Sequence, residues 1–252
     1  MSKRNNRFTL VELLVVICIA SLLMGVVLPA FNRMVTGSAV DRLASNLKLR
    51  LERAQSHAAS SRRHVAVVLP HGDVSGWSSD EVVRKKLKNA ALGGSRICYV
   101  DEVSTDDYSS VFSRWVPDED WNTPERGAVV IALCSDDPVD DDGVLKTATV
   151  NHISHNGDAS VNILNGTGKG KPLKKINGIR FKDGDESDSG NDTEDAGIVF
   201  SSKGGIRSTA DVYIVIAEAM LNGGKVIFPG GQINNFRVLK INRLTGKVEY
   251  HR

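Results

Sequence analysis

From Leu13 to Phe31 the chain reads LLVVICIASLLMGVVLPAF, without one charged residue. A run of about 20 apolar residues is the length a helix needs to span a bilayer. Glu12 stands immediately before the run, and the first seven residues, MSKRNNR, carry three cations and no acid. A basic head before an apolar helix is retained on the cytoplasmic side, so the rest of the chain is expected to be exported. Three kinds of segment share this plan: a cleaved secretory signal peptide, a plain signal anchor, and an assembly helix that carries its own carboxylate. Glu12 separates the third from the others, because a carboxylate at the mouth of an apolar helix is costly in lipid and needs a partner.

Beyond Pro29 the pattern becomes amphipathic. Val40, Leu43, Leu47, Leu51, Ala54 and Ala58 recur at spacings of three and four, while Asp41, Arg42, Lys48, Arg50, Glu52 and Arg53 take the other faces. That is the helical period with one buried stripe. A helix from about residue 8 to 60 would be roughly 80 Å long at 1.5 Å per residue, with Pro29 bending or loosening it.

From about residue 64 the pattern turns to strands. The β-rich runs are 64–69, 96–103, 127–134, 145–153, 159–164, 178–181, 197–202, 212–218, 236–243 and 247–250. Gly, Asn, Asp and Pro clusters separate them. His155-Asn156-Gly157-Asp158 and Leu244-Thr245-Gly246-Lys247 read as tight hairpin turns. The expectation is an antiparallel sheet packed on the amphipathic half of the helix.

The N-terminal sequence RFTLVELLVVICIASLLMGVVLPAF resembles that of type IV pilins and type II secretion pseudopilins. The resemblance implies an α+β, type IV pilin-like fold, with a long helix packed on an antiparallel β-sheet domain. It implies that a prepilin peptidase cuts between Arg7 and Phe8, that Phe8 is then N-methylated, and that Glu12 neutralises the terminal amine of a neighbouring subunit. Pro29 falls where the family often bends its helix. The family normally has Gly before the cut, and this chain has Arg7. The C-terminal third is similar to the H-type minor pseudopilins at Phe200, Gly204, Arg237, Ile241, Thr245, Gly246 and Val248. The stretches 70–146 and 165–195 are longer than the resemblance accounts for.

This reading divides the chain into a leader (1–7), a transmembrane or filament-core half-helix (8–31), an amphipathic half-helix (32–62) and a periplasmic β-rich domain (63–252). The expected role is that of a structural minor pseudopilin of a type II secretion-like pseudopilus, not an enzyme and without a cofactor. The alternative is a minor pilin of a type IV pilus or DNA-uptake fibre. Expected partners are other pilins or pseudopilins through the N-terminal helix, the peptidase, and an assembly platform of the bacterial inner membrane. A net charge of +2 gives no reason to invoke nucleic acid.

Cys98 and Cys134 allow a disulfide in an oxidising compartment, or two independent buried thiols. Residues 183–195 hold seven acids, and Asp183, Asp185, Ser187 and Glu194 fall at positions 1, 3, 5 and 12 of a calcium-type loop. Asp188 stands where that loop needs Gly, so a solvated acidic loop is the preferred reading and no metal is expected. His152 and His155 lie on a strand-to-turn segment, where their spacing does not converge two imidazoles. Residues 166–171 lack the phosphate-loop frame. Trp77, Trp115 and Trp121 are either partner contacts or packing for the long insert.

Overall fold

The computed structural model describes residues 10–69, 92–102, 110–122, 126–146, 160–161, 178–181, 193–222, 225–229, 233 and 235–251. Within these, only the backbone is described at 25–37, 102, 160–161, 178, 180–181, 193–196, 221–222 and 225. The architecture is a helix with largely antiparallel sheets. One helix, α1, spans Leu10–Ser61. Arg62 ends it by taking a left-handed φ of 53°, and the chain turns directly into the first strand.

Five strands close into a small barrel: β1 (His64–Leu69), β2 (Arg96–Glu102), β3 (Ser110–Trp115), β6 (Gly178–Phe181) and β7 (Thr193–Phe200). All its pairings are antiparallel except β3 with β6. The β1 sequence explains why the barrel has two apolar faces. Ala66 and Val68 point inward to Cys98, Val100, Phe112, Ile179 and Val199. Val65, Val67 and Leu69 point outward to the main core. Successive strand residues face opposite sides, so a strand buried on both is apolar throughout. A Cβ at Gly197 would lie 2.2 Å from Ile179 Cδ1, so the glycine makes room for the isoleucine that fills the barrel.

A four-stranded sheet runs in the order β12 (Val248–His251), β11 (Phe236–Ile241), β8 (Val212–Glu218), β4 (Ala128–Cys134). A bulge interrupts β4 between Val130 and Ala132. Three short strands, β5 (Ser160–Val161), β10 (Lys225–Ile227) and β9 (Met220–Asn222), make a further sheet. Both faces of β8 are buried from Val212 to Ala217. The core joins α1, the outer face of the barrel and the four-stranded sheet in one cluster.

The loop after β7 is laced to the turn between β11 and β12. Ile206 donates its amide to Arg243 O at 2.9 Å. The Arg243 amide donates to Asp211 Oδ1 at 2.8 Å, and Lys240 Nζ lies 3.1 Å from Asp211 Oδ2. The Arg243 amide bond, opposed in part by burial and helped by Lys240, holds the Asp211 carboxyl below its ordinary value of 3.8.

Two predictions follow from this packing. Leu47 is 1% exposed and Leu49 is 59% exposed on the same helix. Leu47→Ala is therefore expected to cost about 2–5 kcal/mol in denaturant unfolding, and Leu49→Ala less than about 0.5 kcal/mol. Asp211 titrates lower in the folded than in the unfolded chain, so its contribution is complete above the unfolded range and is lost as pH falls through the folded value. Asp211→Asn should thus be less stable than the native chain by about 1 kcal/mol at neutral pH, the gap closing below about pH 4 in paired pH-stability curves.

Candidate assembly surface

The two halves of α1 carry different chemistry. In the docked half, Ala39, Val40, Leu43, Ala44, Leu47, Leu51, Ala54 and Ala58 are all buried in the main core. The four alanines let the backbone come close to the sheets, and the leucines fill the space between. The other half is exposed on every side: Leu10, Val11, Leu13, Leu14, Val15, Val16, Ile17, Ile19, Leu22, Leu23 and Met24 all face outward. A helix that is apolar all round belongs in a protein core or in lipid, not in water. Glu12 sits in its first turn, where a carboxylate also meets the positive end of the helix dipole. Among the described residues no helix is long and apolar enough to cross a membrane; the side chains of 25–31, which complete the apolar run, are not among them.

Polar ties fix the helix against the domain at successive levels. Arg237 Nε on β11 lies 2.7 Å from Asp41 Oδ1. Ser45 Oγ and the Tyr250 hydroxyl are 2.9 Å apart, and Lys48 lies over the Tyr250 ring. Arg50 Nη1 and Arg53 Nη1 donate to the two oxygens of Glu119, at 2.5 and 2.8 Å. Glu119 is 7% exposed. Its strap is held from the far side by Arg96, whose Nε donates to Glu119 O at 2.9 Å and whose guanidinium stacks on Trp115. A buried carboxylate flanked by two guanidinium groups is strongly placed, since losing either partner leaves charge uncompensated.

The last tie is Gln55. Its Nε2 donates to Gly204 O at 3.1 Å and to Thr245 O at 2.6 Å. One side chain of α1 thereby clamps the turn after β7 and the turn between β11 and β12. Gly204 and Gly246 both have positive φ, 102° and 69°. A Cβ on Gly246 would lie 2.2 Å from Gly204 O and 2.8 Å from Gln55 Nε2, so the clamp closes only over a glycine.

The residues singled out from the sequence fall into distinct places. Phe200, Ile241 and Val248 are core, Gly204, Thr245 and Gly246 form the clamp, and Arg237 is a helix tie. Pro29 lies inside α1. Arg7, Phe8, Asp183, Asp185, Ser187, His152, His155 and Trp77 lie outside the described residues. Glu194 stands on β7 with its backbone opposite Arg180, so it belongs to a strand rather than to the end of a calcium loop. Among the described residues no group of three His, Cys, Asp or Glu could hold a metal.

A disulfide between Cys98 and Cys134 is not formed, and both thiols are free. Cys98 is inside the barrel, whereas Cys134 ends β4 on the other sheet against the main core. The barrel wall thus separates them. Burial drives the Cys98 thiol far above its ordinary range, with Arg96 opposing in part. Burial, then the charge of Asp136, pushes Cys134 up to about 11. Trp115 and Trp121 stack edge-on, with ring centroids 5.4 Å apart, and pack against the barrel interior with Phe112.

The sequence pattern set Arg50 and Arg53 off the buried stripe and gave no sign of Gln55 or Glu119. Arg50 and Arg53, one turn apart and flanking the apolar stripe, were a signal for a shared anionic partner, but nothing in the sequence pointed to Glu119 as that partner.

The chain matches no protein-family model and no curated protein at a significant level. Among solved structures it is similar to the type IV minor pilin FimU of Pseudomonas aeruginosa strain PAO1 in two crystal forms. In the first form identity is 11%, with 85% of this chain and 90% of that chain covered at a TM-score of 0.36. In the second it is 11%, with 84% and 92% covered at 0.35. Scores of this size carry no argument about the role of this chain.

Gly246→Ala is expected to cost about 2–4 kcal/mol, because it combines a strained φ with a clash against backbone oxygen. Gln55→Ala should cost about 1–2 kcal/mol. In the double variant the two losses should add to clearly less than their sum, as measured by a denaturant double-mutant cycle.

Proposed function

We propose that this chain is a structural subunit of a pilus-like fibre, and more narrowly a minor pseudopilin of a type II secretion-like pseudopilus. The observation that carries the reading is α1. Half of it is docked by a narrow stripe and several polar ties, and half presents apolar side chains on every face with one acid at its start. Such a surface has to be covered. Lipid covers it before assembly, and the helices of neighbouring subunits cover it afterwards. On this reading the chain is held in the inner membrane with its β-rich domain in the periplasm. The peptidase cuts between Arg7 and Phe8, Phe8 is methylated, and the new amine of one subunit meets Glu12 of another. Two charges taken out of water are costly apart and acceptable together, so the pair selects one axial register. The resemblance at positions 200–248 favours the pseudopilus over the second reading, a minor pilin of a type IV pilus or DNA-uptake fibre. No step of this role requires catalysis or a cofactor.

Glu12→Gln should leave membrane insertion unchanged and reduce recovery of the subunit in sheared fibres at least tenfold, measured by quantitative blotting of membrane and fibre fractions. Mass spectrometry of the native subunit should show a methylated N-terminus at Phe8. Recovery of Glu12→Gln in fibres at the native level, or a fibre subunit that keeps its first seven residues, would overturn the reading.

A further inference from the structure

Two surfaces of the domain are opposite in charge and complementary in shape. The first is a cleft of about 380 Å³ beside α1, lined by Asn46, Leu49, Arg50, Arg53 and Asn122. Buried Glu119 sits behind it and takes one Nη1 from each arginine, which holds the two guanidinium groups side by side. Two cations around one anion leave a positive charge over, and no carboxylate is among the described residues of the lining. Arg53 makes no further polar contact among the described residues, and its side chain is 53% exposed. Leu49 supplies an exposed apolar wall between these donors. Such a lining suits a carboxylate that stands next to an aliphatic side chain.

The second surface is the hairpin at 135–146, which follows β4. Val139 and Leu145 pair as a bridge and are buried in the core. Asp140 Oδ1 accepts the amides of Asp142 at 3.1 Å and Val144 at 2.8 Å, and Gly143 allows the turn with φ 78°. The crest is therefore held in one shape and loses little freedom on docking. It presents Asp140, Asp141 and Asp142 to solvent beside Val144, which is 58% exposed. The one cation of the hairpin, Lys146, is turned back onto Asp137 O at 2.9 Å. The crest is thus an aliphatic side chain with carboxylates next to it, the chemistry that the cleft suits. It cannot fill the cleft of its own molecule. Tyr250 and His251 are successive residues of β12: the Tyr250 hydroxyl meets Ser45 of α1, and His251 Nε2 lies 2.9 Å from Asp137 Oδ2 in the hairpin. Successive strand residues face opposite sides, so the sheet stands between the hairpin and the helix.

We propose that the hairpin crest of one copy of this chain docks in the Arg50–Arg53 cleft of a second copy, with Val144 against Leu49 and the Asp142 carboxylate on the solvent edge of Arg53. The carboxylate balances the charge that Glu119 leaves over, and the apolar pair excludes water from it. The charges set which way round the two copies meet and how fast they find each other, more than how tightly they hold. Because crest and cleft lie on opposite faces of the sheet, the contact joins unlike surfaces and leaves one of each unused. A contact of that kind repeats as an open series rather than closing into a dimer. It deepens the fibre reading, on which its place in an assembly rests, by giving the globular domains a contact of their own beside that of the helices.

The test is disulfide trapping of the full chain in detergent, with Cys18→Ser as background so that the apolar half offers no thiol. Two differently tagged preparations, one Asn46→Cys and the other Val144→Cys, are mixed and oxidised. The mixed product should exceed either same-variant product roughly tenfold. Adding Leu49→Glu to the first preparation puts an acid in the cleft at an exposed position, and should lower the mixed product by a similar factor. Adding Asp142→Lys to the second should then restore most of it. Same-variant products as abundant as the mixed one, or a mixed product indifferent to Leu49→Glu or not restored by Asp142→Lys, would refute the contact. Glu12→Gln should leave the mixed product unchanged, so the contact and the fibre reading can fail separately.

Discussion

Everything in the domain is organised around the apolar stripe of α1. The barrel and the four-stranded sheet have separate hydrogen-bond ladders. They share one core, in which Val40, Leu43, Leu47, Leu51, Ala54 and Ala58 of the helix are buried between them. Each buried leucine is worth about 1.5–3 kcal/mol of removed apolar surface, so the stripe dominates the energy of docking. The ties at Asp41, Ser45, Arg50, Arg53 and Gln55 lie along its edges. Those at exposed positions add little energy, but their directionality fixes how far the helix slides and turns on the sheets. Apolar contact supplies attraction without direction, and the polar rim supplies direction.

That division explains how one helix serves two surroundings. In the docked half, the face away from the stripe carries Arg42, Asn46 and Glu52, which are exposed to water. Among the described side chains of the other half no such face exists. The docked half is thus defined by the domain, while on the proposed role the apolar half is defined by lipid or by neighbouring subunits. The barrel core around Cys98 is a smaller, separate structure, filled by Ile179 across Gly197. It gives β1, β2 and β7 a second buried face, and so stiffens the surface on which the helix rests.

What the sequence made legible, and what it did not, divides by the range of the interaction. The buried stripe, β1, β4, β6 and β8 were readable from local periodicity, because each is a run of apolar residues at a regular spacing. The turn at Gly246 was readable because Asn242 and Gly246 are close in the chain. β3 was missed, since Ser110, Ser113 and Arg114 dilute its apolar pattern and its stability comes from pairing with β2. β9 and β10 were missed because three residues are too few to show a period. The strand expected over 145–153 shows only a bridge at Leu145 among the described residues. Between a Cys98–Cys134 disulfide and two separate thiols the sequence could not choose, because cysteine spacing says nothing about which side of a sheet a thiol occupies. Gln55 and Glu119 were invisible for the related reason that their partners lie far along the chain. For the proposed assembly residues sequence is the guide, since on that role Glu12 acts on a neighbouring subunit that a single chain does not contain.

The Gln55 clamp also bears on the order in which the molecule is made. Its donor belongs to α1, and its acceptor Thr245 lies 190 residues further on, so the helix is made well before its partner. Closing contacts across so much chain is slow. On the proposed role, the helix is threaded toward a membrane throughout that interval while the stripe meant for β11 still faces solvent. The growing chain would then carry two greasy surfaces at once, one for the bilayer and one for a partner not yet translated. Keeping the second from following the first into lipid would fall to the charged residues Arg42, Lys48, Arg50, Glu52 and Arg53, which are costly to carry into a bilayer. The same residues that trim the finished seam would thus mark where the proposed membrane segment has to stop.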